Sequence, residues 1–219
     1  MIFDWNYALG ILPQFAPALW ITLQATAAGM LLALTLGLVL ALLRRCDVAW
    51  VSWLTAGVIE FVRSTPLLVQ IYFLFYVLPE TGMRLSAFAT GTLALGVHYA
   101  AYCAEVYRAG LDAVPRGQWD AAAALNLGPL RTLWRIIVPQ AVARVVPALG
   151  NYLVAMFKDT PLLSAITVVE LLQTAKMIGA ESFRYVEALT LVGVFFLLLS
   201  LGAAALIRVV EGRLQVAHA

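Results

Sequence analysis

DAAAALNLGPLRTLWRIIVP, residues 120–139, is the stretch on which the reading of the chain turns. Its four alanines, Ala121, Ala122, Ala123 and Ala124, favour helix more than any other residue. Asn126 tolerates the left-handed conformation that ends helices, and Pro129 suits the opening turn of a second one. In that second helix Leu130, Leu133, Trp134, Ile137 and Val138 recur at i, i+3, i+4, i+7 and i+8, which predicts one apolar face. Arg131 and Arg135 lie elsewhere on its surface. Pro139 is expected to end or kink it. Upstream, Pro115 suits the first turn of the alanine helix. Residues 108–144 thus read as a short helix, a tight turn and an amphipathic helix. The small side chains of the first helix let another backbone approach closely, whether that of a partner or that of the protein's own helices.

Outward from this stretch the chain is apolar. Of its 219 residues 63% are apolar and 12% charged, against about 25% charged in a soluble domain. The composition selects an all-α integral membrane protein. A net charge of +2 gives no footprint for nucleic acid. Cys46 lies beside Arg44 and Arg45, and Cys103 lies in an apolar run, so no disulfide framework is expected. MIFDWNY places Asp4 where a signal peptide would be basic. Runs long enough to cross a bilayer are expected at residues 18–43, 57–78, 85–107, 145–169 and 187–207, about five in one domain, 1–219. Nine arginines (Arg44, Arg45, Arg108, Arg116, Arg131, Arg135, Arg144, Arg208, Arg213) fall on one side, and Arg84, Lys176 and Arg184 on the other. The richer side is cytoplasmic, which puts the N-terminus outside and the C-terminus inside.

Two near-identical phrases interrupt these spans: RSTPLL from Arg63 and KDTPLL from Lys158. Proline lacks an N–H and disfavours helix at the preceding residue, here Thr65 and Thr160. It also leaves the carbonyl four residues back, of Val62 or Phe157, without its helical partner. In lipid that carbonyl must be satisfied within the protein or beside water. Paired proline-broken segments and ionisable residues at membrane depth both point to transport sites. Arg63 reads as an anchor that snorkels to lipid phosphates or pairs with Glu60. Lys158 and Asp159 lie near mid-membrane, where each needs a partner in a cavity. Thr65, Thr160, Tyr99 and Glu170, the last near the outer mouth, complete the pathway candidates. His98 reads as a satisfied polar residue between helices, and Glu105 with Arg108 as a structural pair. Tyr72, Phe75, Tyr76 and Tyr102 wall a pathway or simply pack. The Gly29–Ala33–Gly37 stripe allows close helix packing.

Residues 120–139 also resemble the EAA motif of ABC importer permeases, with Asp120 for glutamate, Asn126 for glycine and IIVP at residues 136–139. EFVRSTPLLVQ, AAYCAEVYRAG, VPRGQWDAA, VPQAVARVVPALGNY and MFKDTPLL are similar to the polar-amino-acid uptake family of the histidine and glutamine permease type. The longer phrases STPLLVQIYFLFYVLP, HYAAYCAEVYRAG and NYLVAMFKDTPLLSAITVVEL look closest to permeases of ectoine/hydroxyectoine importers. The resemblance implies the type I importer permease fold and a place in a bacterial inner membrane. It implies a second permease subunit, copy or paralogue, a dimer of ATPase subunits and an extracytoplasmic solute-binding protein. Gly117, Gln118, Asp120, Ala121, Ala122 and Asn126 would couple to the ATPase. ATP and magnesium would bind to that partner, since no G-x-x-x-x-G-K-[ST] loop occurs in this chain. It also lacks G-x-S-x-G, H-E-x-x-H and any Cys/His ligand cluster, so no enzyme is expected. An ion-coupled secondary transporter or channel is the rival reading of the broken helices.

Overall fold

The computed structural model describes residues 3–216, which are helical with no strands among them. Helix α1 (Trp5–Ile11) runs through a short 3-10 turn into α2 (Phe15–Arg44). Asp4 starts it by accepting from the Asn6 and Tyr7 N–H groups at 2.9 and 3.2 Å, an N-cap. The first span therefore begins about a dozen residues before the expected one. Helices α3 (Ala49–Ser64) and α4 (Leu67–Tyr72) follow, then α5 (Ala87–Asp112), α6 (Arg116–Ala124) and α7 (Pro129–Thr132). Last come α8 (Val138–Asp159), α9 (Leu171–Ser182) and α10 (Tyr185–Val216).

Trp5–Arg44, Pro129–Ile166 and Tyr185–Arg213 are each long and apolar enough to cross a membrane, and α3 with the run Leu67–Thr81 passes as one span bent by 103°. The fifth long helix, α5, has 26 residues and is not among these. Its environment gives the reason. It packs on α2, α3, α4 and α8 and buries most positions between Thr90 and Ala104, so it faces protein rather than lipid and can carry His98, Glu105 and Arg108.

The α2–α5 seam is made of small residues. Gly29, Ala33, Gly37 and Ala41 are buried. A Cβ on Gly37 would lie 2.7 Å from the Cβ of Cys103 and 2.9 Å from the Ala100 carbonyl oxygen. In lipid, helices gain little from apolar burial against one another, so such close approach supplies the attraction. At one end of the bundle Arg45 pairs with Asp112, which also takes Arg108 at 3.2 Å, and Arg108 takes Glu105 at 2.7 Å. At the other end Arg184 joins Asp4 (3.4 Å) and Glu187 (2.5 Å) and lies over the Tyr7 ring. The Tyr7 and Asn6 N–H groups, with Arg184, hold the Asp4 carboxyl below the usual carboxylate range.

Candidate functional site

Helix α6 forms as the alanines predict, and its end is a complete Schellman motif. Asn126 sits at φ 53°, its N–H donates to the Ala123 carbonyl at 2.9 Å, and that of Leu127 donates to Ala122 at 3.0 Å. Two orphan carbonyls are thereby satisfied. Gly117, Asp120 and Ala121 are exposed, and a Cβ at Gly117 would meet open space. Gln118 accepts from the Gln140 amide of α8 at 3.1 Å. Ala122 is different: at 1% exposure it is the one buried residue of α6 and faces the protein's own body.

The expected face of the second helix splits. Ile137 is fully buried, whereas Leu130 and Trp134 are 74% and 66% exposed. The cause is a π-helical turn at Leu133–Ile137. The Val138 N–H reaches back to the Leu133 carbonyl, and the extra residue rotates everything before it away from the face that follows. The same turn lets the helix run on through Pro139, which neither ends it nor breaks it.

At membrane depth the two Thr-Pro phrases meet α5. Thr65 is extended (φ −108°, ψ 138°) and ends α3. Its hydroxyl donates to the Phe61 carbonyl at 3.0 Å and the Val62 carbonyl at 3.2 Å. Thr160 is helical (φ −57°, ψ −30°), fully buried, and donates to the Phe157 carbonyl at 2.7 Å. The chain continues from it as a 3-10 turn, Thr160–Ile166, so Pro161 tightens the helix where a break was expected.

Asp159 accepts from the Tyr99 hydroxyl at 2.6 Å. Tyr99 belongs to a cluster of rings with His98, Tyr102 and Tyr152, whose centroids lie 5.2–6.2 Å apart. The Arg63 guanidinium sits 5.4 Å from the Tyr102 ring centre, a cation–π contact, and pairs with Glu60 at 3.6 Å. The cluster is thus flanked by an acid on Tyr99 and a base on Tyr102. The Glu60 pair is the one expected of Arg63, which stands on the last turn of α3, and the Tyr102 contact adds a link to α5. Lys158 is exposed and joins no ion pair among the described residues. Glu170 is fully buried and caps α9, its two oxygens taking the Leu172 and Gln173 N–H groups at 2.8 and 2.7 Å. Burial pushes its carboxyl above the usual range against the pull of those N–H groups. No group of three His, Cys, Asp or Glu among the described residues could hold a metal ion.

Bent and continuous apolar helices long enough to cross a membrane, opposite charges at two helix interruptions beside α5, and an exposed alanine-rich helix together define a membrane permease subunit. Residues 29–216 match the family described as the binding-protein-dependent transport system inner membrane component, and the chain belongs to it. It is a multi-pass inner-membrane component of an ABC importer, and ATP hydrolysis belongs to a separate chain. A probable amino-acid ABC transporter permease protein, y4tG of Sinorhizobium fredii (strain NBRC 101917 / NGR234), is 50% identical over 205 residues, covering 94% of this chain and 89% of its own. The L-cystine transport system permease protein TcyB of Bacillus subtilis (strain 168) is 33% identical over 194 residues, 86% and 83% of the two chains. A crystal structure of an amino acid ABC transporter with histidines superposes with a TM-score of 0.92 at 31% identity, covering 97% of this chain and all of that one.

Proposed function

We propose that this subunit passes a polar amino acid across the membrane, with Asp159 taking the ammonium group and Arg63 the carboxylate. One observation carries the reading: opposite charges flank a single tyrosine cluster where both helix interruptions meet α5. A zwitterion needs one partner of each sign, and ion pairs strengthen where water is sparse. The names of the relatives favour an amino acid over the ectoine/hydroxyectoine suggested by the longer phrases. Lys158, expected like Asp159 to find a partner in a cavity, is tied to the cluster by no hydrogen bond or ion pair among the described residues.

Trp5–Arg44, the bent α3–α4 pair, α5, Pro129–Ile166 and Tyr185–Arg213 make five crossings in this reading. The N-terminus is outside, and α6 and the C-terminus are cytoplasmic. The exposed face of α6, with Gly117, Asp120 and Ala121, docks an ATPase dimer that binds ATP and magnesium. A second permease, copy or paralogue, completes the path, and an external binding protein delivers the solute.

Uptake by proteoliposomes holding the assembled complex tests this. Labelled histidine, arginine, glutamine or cystine should accumulate only with internal ATP. Accumulation on an ion gradient without ATP would overturn the reading. The docking arm needs Ala121→Trp, because Ala122→Trp would wedge α6 off its own protein. Ala121→Trp should weaken co-purification of the ATPase without lowering the thermal stability of the subunit.

A further inference from the structure

The bend between α3 and α4 is held by more than its proline. Pro66 removes the N–H that Val62 would have used, and the Gln70 side chain replaces it. Gln70 Nε2 donates to the Val62 carbonyl at 2.8 Å and to Thr65 Oγ1 at 2.7 Å, with the Thr65 carbonyl at 3.2 Å. Carbonyl oxygens only accept, so this orientation of the amide is fixed. The Gln70 oxygen therefore accepts, and His98 Nδ1 of α5, 3.1 Å away, is the protonated ring nitrogen.

Packing holds one side of the bend, where Leu67 and Ile71 of α4 are buried in the core with Ala94, Leu95 and Tyr99 of α5. An open groove of about 270 Å³ runs along another side, lined by the exposed Phe61 and Phe73, by Val62, Thr65 and Gln70, and by Ala94 and Val97 of α5. There the polar contacts of Gln70 tie α4 to the end of α3 and to α5. His98 in turn lies 5.5 Å from Tyr99 and 5.2 Å from Tyr102, the two rings that meet Asp159 and Arg63.

We propose that Gln70 and His98 form a pin that fixes the bend to α5 and so positions Arg63 for the solute. Both are positioning residues that do not touch it. The inference rests on the reading of Arg63 and Asp159 as the solute site. It names residues that neither Thr-Pro phrase contains.

The test uses the assembled complex in proteoliposomes and the amino acid taken up fastest among labelled histidine, arginine, glutamine and cystine. Gln70→Leu and His98→Leu should each raise the KM for uptake roughly tenfold, the usual scale for a polar group left unpaired. Maximal rate and ATPase co-purification should be unchanged, and the double variant should be little worse than either single one, as expected for partners. His98→Asn, which keeps an N–H at the Nδ1 position, should restore the KM to within about twofold, because the donor to Gln70 survives. A merely structural role would lower thermal stability without moving the KM. If Asp159→Asn leaves uptake intact, the solute-site reading fails. If Asp159→Asn acts but His98→Leu leaves the KM unchanged, or His98→Asn raises it as far as His98→Leu, the pin is overturned. Should Gln70→Leu fail to fold, the two His98 variants decide alone.

Discussion

RSTPLL and KDTPLL put the same Thr-Pro pair into two apolar helices, and only the first bends. After Thr65 the axis turns by 103°, whereas after Thr160 the chain tightens into a 3-10 turn and keeps its course. The local chemistry is shared. In both, the threonine hydroxyl serves the carbonyl that proline orphans, that of Val62 or Phe157. The surroundings differ. Leu163 and Ile166 are fully buried behind the second phrase, and Leu163 fills the space left by Gly91, where a Cβ would lie 2.6 Å from its Cδ2. That packing offsets the cost of keeping Thr160 helical before a proline. Leu67 and Ile71 are buried behind the first phrase too, but an open groove lies beside it and the Gln70 amide serves the Val62 carbonyl across it. Proline makes a bend available, and tertiary contacts decide whether it is taken. The two outcomes deliver a base and an acid to one tyrosine cluster.

The prolines should therefore not be equivalent. Pro66→Ala restores a donor and lets α3 and α4 straighten, so uptake should fall by about tenfold or more, given that proline in a helix interior opposes helix by about 3 kcal/mol. Pro161→Ala enters a segment that is already helical and should leave uptake within about twofold of the parent. Equal losses in the two would break the comparison. A smaller effect separates the threonines. Thr160→Val strips a hydroxyl from a fully buried site and should cost about 1–2 kcal/mol in thermal unfolding of the detergent-solubilised subunit. Thr65→Val should cost less than about 1 kcal/mol, because Gln70 still serves the Val62 carbonyl. The reverse order would show that the hydroxyl at the bend does more than satisfy a carbonyl. The smallest change lies at the end of the second phrase. Thr167 stands at φ 66°, where a β-branched residue is strained. Thr167→Gly should raise stability by less than about 1 kcal/mol, since relief of strain is partly offset by the freer unfolded chain. A loss of stability there would mean that the Thr167 side chain is needed.

Much of this was legible in the residues. The alanine run and Asn126 gave α6 and its left-handed end, because both signals are local. The Gly29–Ala33–Gly37 stripe marked the α2–α5 seam for the same reason. The bend at Pro66 was readable, but its absence at Pro161 was not, since it depends on Gly91, 70 residues away in sequence. Helix α9 is short and hidden behind Glu170, whose capping role a free carboxylate does not announce. The exposure of Leu130 and Trp134 followed from a π turn that no periodicity of 3.6 anticipates. The pair of Arg63 with Glu60 was legible because both stand on α3 one turn apart, whereas its stacking on Tyr102 crosses to α5 and was not. Gln70 went unread, its partners becoming visible only once the bend brings Val62 back to it.

The central claim is that Asp159 receives the ammonium end of an amino acid, and two solutes against one variant test it most directly. Uptake of the preferred amino acid and of its desamino analogue is measured in proteoliposomes with the parent complex and with Asp159→Asn. Loss of a charge-assisted contact, worth about 1.5–3 kcal/mol, predicts a roughly tenfold to hundredfold fall for the amino acid and no further fall for the analogue, which has no ammonium group to lose. An equal fall for both solutes, or none for either, would contradict the account.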